Sequence, residues 1–290
     1  MAVLPEPEIS GTLPQPARRP FVVVRASSGW SALNLRELWK YRDLLLILAG
    51  RDIKLRYKQT ALGVFWVVMQ PLAAALIFAV IFGRFANLPS DGQPYVLFVM
   101  SGLLPWGYFA GALQRAGNSL ITDSKLISKV YFPRLLIPLA STAAVVVDLA
   151  VALSVFGVLM LVYQVPFTWR LLALPLFLGL ATLLAVGVSL WLSALNVQYR
   201  DFMYALPFII QLWMYASPVV YATSLVPERF RLLYSLNPVV GIIEGFRWTL
   251  VGSDALTAPM VALSLTVGLV ALVSGAFVFR RVERRFADIL

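Results

Sequence analysis

The sequence predicts an all-α membrane protein, and three observations support that fold class. Hydrophobic residues make up 60% of the 290 residues and charged residues only 13%, against about 25% charged in an ordinary soluble domain. Six stretches with at most one charge are long enough to cross about 30 Å of hydrocarbon as helices. Positive charges gather beside alternate ends of these stretches. Each stretch is expected to be helical, because an open strand would leave backbone groups unpaired in lipid.

The six predicted transmembrane helices cover most of the chain. They are residues 61–83, 94–114, 135–164, 171–198, 202–227 and 258–279. Six crossings place both termini on one side of the membrane. All but five of the 24 Lys and Arg residues lie on that side, so the positive-inside rule predicts cytoplasmic termini. The five exceptions are Arg84, Arg170, Arg229, Arg231 and Arg247.

The segments outside the spans have distinct compositions. Residues 1–29 are rich in proline and predict a flexible cytoplasmic tail. Residues 30–58 carry apolar side chains at helical spacing opposite charged ones, and their longest apolar run is too short to cross, which favours an amphipathic helix in the cytoplasmic interface. The domain organisation is completed by the six-span domain at 59–282 and a cytoplasmic tail at 283–290.

The first span begins directly after a basic cluster of Arg51, Lys54, Arg56 and Lys58. These charges hold the start of the span in the cytoplasm. A second interpretation is that they attract an anionic lipid headgroup to a cytoplasmic entrance. Inside the span, Pro71 lacks a backbone donor and is expected to kink the helix.

Several classes of function are excluded or weakened by what the sequence lacks. The chain has no cysteine and no histidine, and none of its lysines follows a glycine as a phosphate-binding G-x-x-x-x-G-K-[ST] loop requires. We therefore expect no bound cofactor or metal and no ATPase activity. A membrane-embedded enzyme or an ion-coupled transporter would need grouped ionisable residues, yet Asp148 is the only one within a predicted span.

Five motifs occur in an order and spacing that resemble one family. They are RDIKLRYKQTALGVFWVVMQP (51–71), LITDSKLISKVYFPRLLIPLA (120–140), NVQYRDF (196–202), SPVVY (217–221) and LNPVVGIIEGFRWTLVG (236–252). Over residues 30–285 the chain is similar to ABC-2 type permeases of the polysaccharide and polyol-phosphate exporter branch, which export O-antigen, capsule or teichoic acid polymers. A drug or small-lipid exporter of the same family is the alternative.

The resemblance implies a division of labour between chains. Two permease chains would form a homodimer in the bacterial inner membrane, and two copies of a separate ATPase would bind ATP and Mg²⁺. The substrate would be a lipid-linked polysaccharide. No nucleic acid is expected as a partner, because the positive charges adjoin apolar runs and so favour a membrane surface.

The resemblance also places the contact with the ATPase in the loop between the second and third spans. Asp123 can cap a short helix there, whose exposed apolar face would dock in a groove of the partner. A helix that rests on lipid headgroups is the alternative. The loop between the fourth and fifth spans would add a smaller contact. The residues expected at these contacts are Asp123, Lys125, Leu126, Ile127, Lys129, Val130, Arg200 and Asp201.

Aromatic side chains cluster within the predicted spans. The resemblance implies that some of them line a channel, where sugar faces stack weakly on aromatic rings as a polymer slides past. Ordinary helix packing and an aromatic belt at the lipid interface form the alternative. The candidate lining residues are Trp66, Trp106, Tyr108, Phe109, Trp213 and Tyr215. Asp148 is a further candidate that must face the bundle interior or water, as a structural acid or as a substrate contact.

The segment between the fifth and sixth spans has an apolar portion too short to cross and return. It is expected to form a pair of short re-entrant helices, the second of which is entered at Pro238. Glu244 and Arg247 are spaced to neutralise each other on one helix face. The resemblance makes this segment an outer gate, and an ordinary extracytoplasmic cap is the alternative.

Overall fold

The computed structural model describes residues 35–58, 63–130, 132–199 and 201–283. The predicted tail at 1–29, Arg200 and nearly all of the predicted tail at 283–290 lie outside these residues. Within them all regular structure is helical. The α-helices are α1 (Leu35–Lys40), α2 (Arg42–Lys58), α3 (Gly63–Phe78), α4 (Tyr95–Thr122), α5 (Ser124–Lys129), α6 (Leu136–Val162), α7 (Leu174–Gln198), α8 (Phe202–Tyr215), α9 (Glu228–Tyr234), α10 (Pro238–Leu250) and α11 (Ala258–Glu283).

Five helical stretches among the described residues are long and apolar enough to cross a membrane. They are Phe65–Phe85, Tyr95–Thr122, Leu136–Val162, Trp169–Gln198 and Ala258–Glu283. These correspond to the first, second, third, fourth and sixth predicted spans. The all-helical membrane fold is therefore confirmed, whereas six crossings stay a prediction.

The fifth predicted span, at 202–227, is not one continuous helix. Helix α8 contains only 14 residues, a length of about 21 Å. It ends at Tyr215, two residues before Ser217, which precedes Pro218 and is therefore disfavoured in the helical conformation. The apolar composition of this segment was the basis of the prediction, and composition alone did not reveal where the helix stops.

The first predicted span changes its helical geometry along its length. Pro71 lies inside α3, as expected. After Phe78 the chain continues as a π-helix over Ala79–Phe85, and a seven-residue π-helix is rare in proteins. The span therefore contains two departures from regular α-helical hydrogen bonding.

Helices α7 and α11 approach closely because their contact contains glycines. A Cβ atom built on Gly187 would lie 2.5 Å from the backbone nitrogen of Leu272. Small residues of this kind allow the backbones of membrane helices to come together. The contact joins the fourth and sixth predicted spans.

One end of the helix bundle, which we call the basic end, gathers α2, α5, the starts of α6 and α8, and the ends of α4, α7 and α11. A buried apolar cluster at this end includes Leu48 of α2, Ile127 of α5, Leu136 of α6, Val197 of α7 and Phe279 of α11. The second half of α2 continues along α6. This packing against α6 was not predicted from the amphipathic pattern of residues 30–58.

Candidate functional site

A cleft between α2, α3, α4 and α6 contains several polar side chains. Its volume is about 400 Å³. The polar residues along its walls are Arg56, Gln70, Gln114, Arg115 and Asp148. Its size falls within the range of small-molecule sites, and its walls combine apolar surface with a few charged groups.

Asp148 has partners that sequence reasoning missed. Its Oδ2 atom accepts a hydrogen bond from Nη1 of Arg56, and Oδ1 accepts one from the hydroxyl of Tyr57 at 2.5 Å. A nitrogen of Arg115 lies 3.8 Å from Oδ2, which is an ion-pair distance but too long for a hydrogen bond. Asp148, predicted for the channel, and Arg56, predicted for the entrance, are therefore in contact. We call Arg56, Tyr57, Arg115 and Asp148 the Asp148 cluster.

The protonation of Tyr57 fixes the direction of its hydrogen bond. Burial raises the pKa of Tyr57 to about 12, with a contribution from the hydrogen bond to Asp148. The phenol therefore remains protonated at neutral pH and acts as the donor to the carboxylate. Tyr57 and Arg56 are neighbours on α2, so one turn of this helix supplies both hydrogen bonds.

A second ion-pair group joins α2 to the end of α4. A nitrogen of Arg51 lies 2.6 Å from Oδ2 of Asp123 and 2.8 Å from Oδ1 of Asp52. The hydrogen bond to Asp123 is the main cause that raises the pKa of Arg51. Ser141 of α6 donates a hydrogen bond to Asp52 at 3.1 Å. Arg51 and Arg56 therefore attach the same helix to two different parts of the bundle.

The contacts of Asp123 correct one expectation. Asp123 occupies the position before α5, but its side chain makes no capping hydrogen bond to that helix. Its carboxylate binds Arg51 instead. Both a cap and this ion pair would use the charged carboxylate, but only Arg51 brings a full opposite charge to it.

The expected exposed apolar face of α5 is also wrong in part. Ile127 is only 8% exposed because it packs in the cluster at the basic end, and Leu126 is half-buried against the same cluster. Val130, directly after the helix, is 51% exposed. Lys125 and Lys129 are exposed. The outer surface of α5 is consequently basic, with Val130 as its apolar edge. Asp201, at the start of α8, is exposed as well.

The four basic residues of the predicted entrance divide into two pairs. Arg51 and Arg56 face α4 and α6, where acidic residues bind them. Lys54 and Lys58 are exposed on another part of the α2 surface. The sequence pattern indicated four accessible charges, and only the two lysines are exposed and without an acidic partner among the described residues.

The aromatic candidates also separate by position. Phe109 is buried and packs edge-to-face on Trp213, with ring centroids 5.1 Å apart, and its place in a channel wall stays a prediction. Trp106 and Tyr108 are buried too, but both contribute to the wall of the cleft, and the Tyr108 hydroxyl lies 2.9 Å from that of Thr182. Residues Trp66 and Tyr215 are exposed.

Glu244 and Arg247 form the predicted ion pair, with a nitrogen–oxygen distance of 2.9 Å. Both side chains are almost completely buried, at 1% and 0% exposed. Thr223 donates a hydrogen bond to Glu244, Arg247 donates one to the carbonyl of Val219, and the Arg247 guanidinium lies 3.9 Å from the ring centre of Phe98. The surroundings of the pair are therefore a packed core.

Helix α10 begins at Pro238, as predicted, directly after a capping residue. The side chain of Asn237 accepts a hydrogen bond from the backbone of Val239 and another from Trp213 of α8. Helix α10 packs on α4, α7 and α11, whereas several apolar side chains of the preceding α9 are exposed. Pro238 and the ion pair thus lie in the packed member of the two short helices.

Sequence reasoning missed Arg115 and Gln114 in the cleft, and Tyr57 as a partner of Asp148. Arg115 was counted only as a positive charge at the end of the second span. One signal was available in the sequence. Arg115 directly follows the uncharged stretch 94–114, and the next predicted span contains a single acid, Asp148. That signal indicates an ion pair but does not identify which arginine makes it.

Comparisons with known proteins agree with this architecture. The family model described as "ABC-2 type transporter" matches residues 43–251. The O-antigen export system permease protein RfbA of Klebsiella pneumoniae is 30% identical over 249 residues, which cover 86% of this chain and 95% of that protein. The protein of the same name from Myxococcus xanthus is 28% identical over 258 residues, covering 88% and 98%.

The name of a more distant relative gives a different substrate. The polysialic acid transport protein KpsM of Escherichia coli is 22% identical over 199 residues, covering 67% of this chain and 76% of that protein. Both names describe the movement of polysaccharides. The family match at 43–251 runs from the second residue of α2 to the end of α10 and therefore contains the cleft, α5 and the buried ion pair.

Proposed function

Because this chain belongs to the ABC-2 type transporter family, we propose that it is the permease subunit of an ATP-driven exporter of a lipid-linked, O-antigen-like polysaccharide. The observation that carries this proposal is the near-complete overlap with two O-antigen export permeases. The relative named for polysialic acid transport supports the same substrate class. None of these names favours the alternative of a drug or small-lipid exporter.

The energy for transport would come from separate subunits. Two copies of an ATPase, each holding ATP and Mg²⁺, would act on a homodimer of this chain. The family match supports an ABC-type ATPase as the partner. The chain itself would hydrolyse nothing and would provide the path for the polymer.

The proposed orientation places the basic end in the cytoplasm of a bacterium and the opposite end outside the inner membrane. The excess of Lys and Arg at the basic end supports this orientation through the positive-inside rule. Helix α8 and the segment that follows it would form the remaining crossing. The two termini would then both be cytoplasmic, and α9 and α10 would be re-entrant helices at the outer face.

Helix α2 provides a route by which movement of the ATPase reaches the cleft. In this proposal the ATPase contacts the basic surface of α5, with Asp201 and Arg200 as a second contact. Asp123 directly precedes α5 and is bound to Arg51 of α2. Five residues further along α2, Arg56 is bound to Asp148 of α6. A displacement of α5 would therefore pull on α2 and change the cleft.

The polymer would enter from the basic end and pass along exposed aromatic side chains. Trp66 of α3 and Tyr215 of α8 are exposed and can contact sugar faces in a dimer. Lys54 and Lys58 supply accessible positive charge beside the entrance. At the opposite end, α10 with its buried ion pair would act as the fixed base of an outer gate, and the exposed α9 would be its moving part.

The function can be tested by deleting the gene and measuring surface polysaccharide. We expect the polysaccharide to disappear from the surface and to return when the wild-type chain is supplied with its ATPase. Normal surface polysaccharide in the deletion strain, together with loss of resistance to a drug, would contradict the proposal and favour the alternative exporter.

The ATPase contact has its own test, which uses the absence of cysteine in the natural chain. A single Lys129→Cys variant carrying a thiol-reactive photo-cross-linker is expected to capture the co-expressed ATPase. Leu232→Cys is the matched control, because Leu232 is exposed in α9 at the opposite end. Equal capture by both variants, or capture by the control alone, would contradict the assignment of α5.

A further inference from the structure

Helix α9 is held in place by little packing. None of its seven residues is buried, and apolar side chains such as Leu232 and Leu233 are exposed. Its Arg231 contacts Glu228 within the helix and the carbonyl of Val226 just before it. A segment with so few buried contacts belongs to the least stable part of a fold. The position of α9 therefore depends on polar contacts with the rest of the molecule.

One such contact joins two tyrosine side chains. The hydroxyl of Tyr234, the last residue of α9, lies 2.8 Å from the hydroxyl of Tyr221. The Tyr221 hydroxyl donates its proton to the carbonyl of Tyr215 at 3.2 Å, so it accepts from Tyr234. Tyr215 is the last residue of α8, and a chain of two hydrogen bonds thus leads from α9 to α8. Of the side-chain hydrogen bonds and ion pairs among the described residues, the tyrosine contact is the one that joins α9 to a part of the chain before Val226.

Tyr221 is itself fixed in the packed part of the molecule. Its carbonyl accepts a hydrogen bond from Arg247 of the buried ion pair at 3.4 Å. Its neighbours Val220 and Ala222 are buried. The exposed helix α9 is therefore fastened to a rigid support by a single pair of hydroxyl groups.

The chain is also anchored on either side of α9. Before the helix, Thr223 donates a hydrogen bond to Glu244 and Ser224 donates one to Asp91. After the helix, the side chain of Asn237 binds the end of α8. Loss of the hydroxyl contact would therefore free α9 alone, between two anchors that stay in place.

We propose that Tyr221 and Tyr234 form a latch that holds α9 in its closed position. This inference rests on the proposed function, in which α9 is the moving part of an outer gate, and it names the residues that keep the gate closed. One hydrogen bond between neutral groups changes an equilibrium constant by about fivefold. The latch is therefore strong enough to favour the closed position and weak enough to open. Water or a sugar hydroxyl can replace either tyrosine as a partner, so opening leaves no polar group unpaired.

The test is the rate at which a maleimide labels a cysteine that α9 shields. Ser235 directly follows α9 and is 2% exposed, and the natural chain has no cysteine, so Ser235→Cys is a unique reporter. The full-length chain is measured with its ATPase in lipid nanodiscs. Tyr234→Phe is expected to raise the labelling rate about fivefold, because it removes the latch bond and keeps the ring. Tyr163→Phe, which removes the hydroxyl of an exposed tyrosine after α6, is expected to leave the rate unchanged.

A second reporter separates a latch from a general loss of stability. Ser101 is fully buried in α4, so the labelling of Ser101→Cys reports on the packed part of the molecule. Tyr234→Phe is expected to leave this second rate unchanged. An equal rise at both reporters, or no rise at Ser235→Cys, would overturn the proposal.

The shared hydroxyl gives an independent variant. Tyr221→Phe removes the acceptor of the latch and its bond to α8, and should raise labelling of Ser235→Cys at least as much as Tyr234→Phe does. Combining the two substitutions should give no further rise, because the latch bond is already absent. A further fivefold rise in the combined variant would show that the two tyrosines act separately and would overturn the latch.

The latch and the proposed function can fail separately. If gene deletion abolishes surface polysaccharide but Tyr234→Phe labels at the wild-type rate, this inference fails and the proposed function stands. If labelling rises as expected while the deletion strain keeps its surface polysaccharide, the latch stands and the proposed function fails.

Discussion

Arginine–carboxylate pairs occur in two regions of this molecule, in opposite environments. Between the basic end and the middle of α6, Arg56 and Asp148 face a cleft that solvent can enter, and a second arginine lies nearby. At the opposite end, Glu244 and Arg247 are buried between helices, where the Thr223 hydroxyl donates to Glu244 and the Val219 carbonyl accepts from Arg247. Oε2 of Glu244 and Nε of Arg247 are buried without a hydrogen-bond partner among the described residues. The accessible pair can therefore exchange one partner for another group, whereas the buried pair holds its helices in place.

The difference follows from the desolvation of charge. An accessible pair can replace one partner by water or by an anion at little cost, so its contribution to stability is small. A fully buried pair has no such substitute, and removal of one member leaves an unpaired charge in the core. The two regions should therefore respond to mutation by very different amounts.

The largest effect is expected at the buried pair. Arg247→Ala should lower the free energy of unfolding by about 3–5 kcal/mol, because Glu244 is left buried without its charge partner. Thermal unfolding of the purified chain measures this loss. Arg231→Ala is the matched control, since Arg231 and Glu228 have the same spacing in the exposed α9, and little change is expected there.

A paired replacement sharpens this prediction. Glu244→Leu combined with Arg247→Met should recover much of the lost stability, because well-packed apolar residues can substitute for a buried ion pair. If Arg247→Ala alone unfolds at the wild-type temperature, the pair is not the rigid element that distinguishes this end. Export by the paired variant would then show whether the gate requires the charges or only the packing.

A smaller effect is expected from the glycine that makes room for the buried pair. A Cβ atom on Gly102 of α4 would lie 2.5 Å from the carbonyl oxygen of Val219 and 3.2 Å from a nitrogen of Arg247. Gly102→Ala should therefore destabilise the chain by about 1–3 kcal/mol, the usual range for overpacking. Thermal unfolding is again the measurement.

Gly107 is the matched control in the same helix. A Cβ atom there would meet nothing within 4 Å, so Gly107→Ala should be neutral or slightly stabilising. Equal destabilisation by both substitutions would mean that α4 tolerates no alanine for reasons of backbone geometry. The effect at Gly102 could then no longer be attributed to the buried pair.

The two regions also differ in how much of them the sequence predicts. Glu244 and Arg247 are three residues apart in an amphipathic stretch, and helical spacing alone predicted their contact correctly. Asp148 and Arg56 are 92 positions apart, and their contact depends on how α2 packs along α6. Local periodicity contains no information about such packing, so the carboxylate had no evident partner.

The same reasoning explains the errors at α5 and α8. The spacing of Leu126 and Ile127 correctly indicated a helix with an apolar face, but not that this face would be covered by the chain's own α2, α6 and α11. For α8, hydropathy identified the apolar segment and missed its end beside Pro218. Composition and period determine which segments are helical, whereas burial depends on partners distant in the sequence.

The smallest effect on stability is expected at the second ion pair of the basic end, Arg51 with Asp123. The side chains are 35% and 15% exposed, so the coupling energy from a cycle of Arg51→Gln and Asp123→Asn should be at most about 1 kcal/mol. At 1 M salt the Debye length falls to about 3 Å, and the coupling should largely disappear. The cost of Arg247→Ala should persist in the same salt, because ions do not reach the buried pair. A coupling energy of several kcal/mol that persists at 1 M salt would mean that Arg51 and Asp123 behave like the buried pair. Helix α2 would then be fixed in place instead of movable.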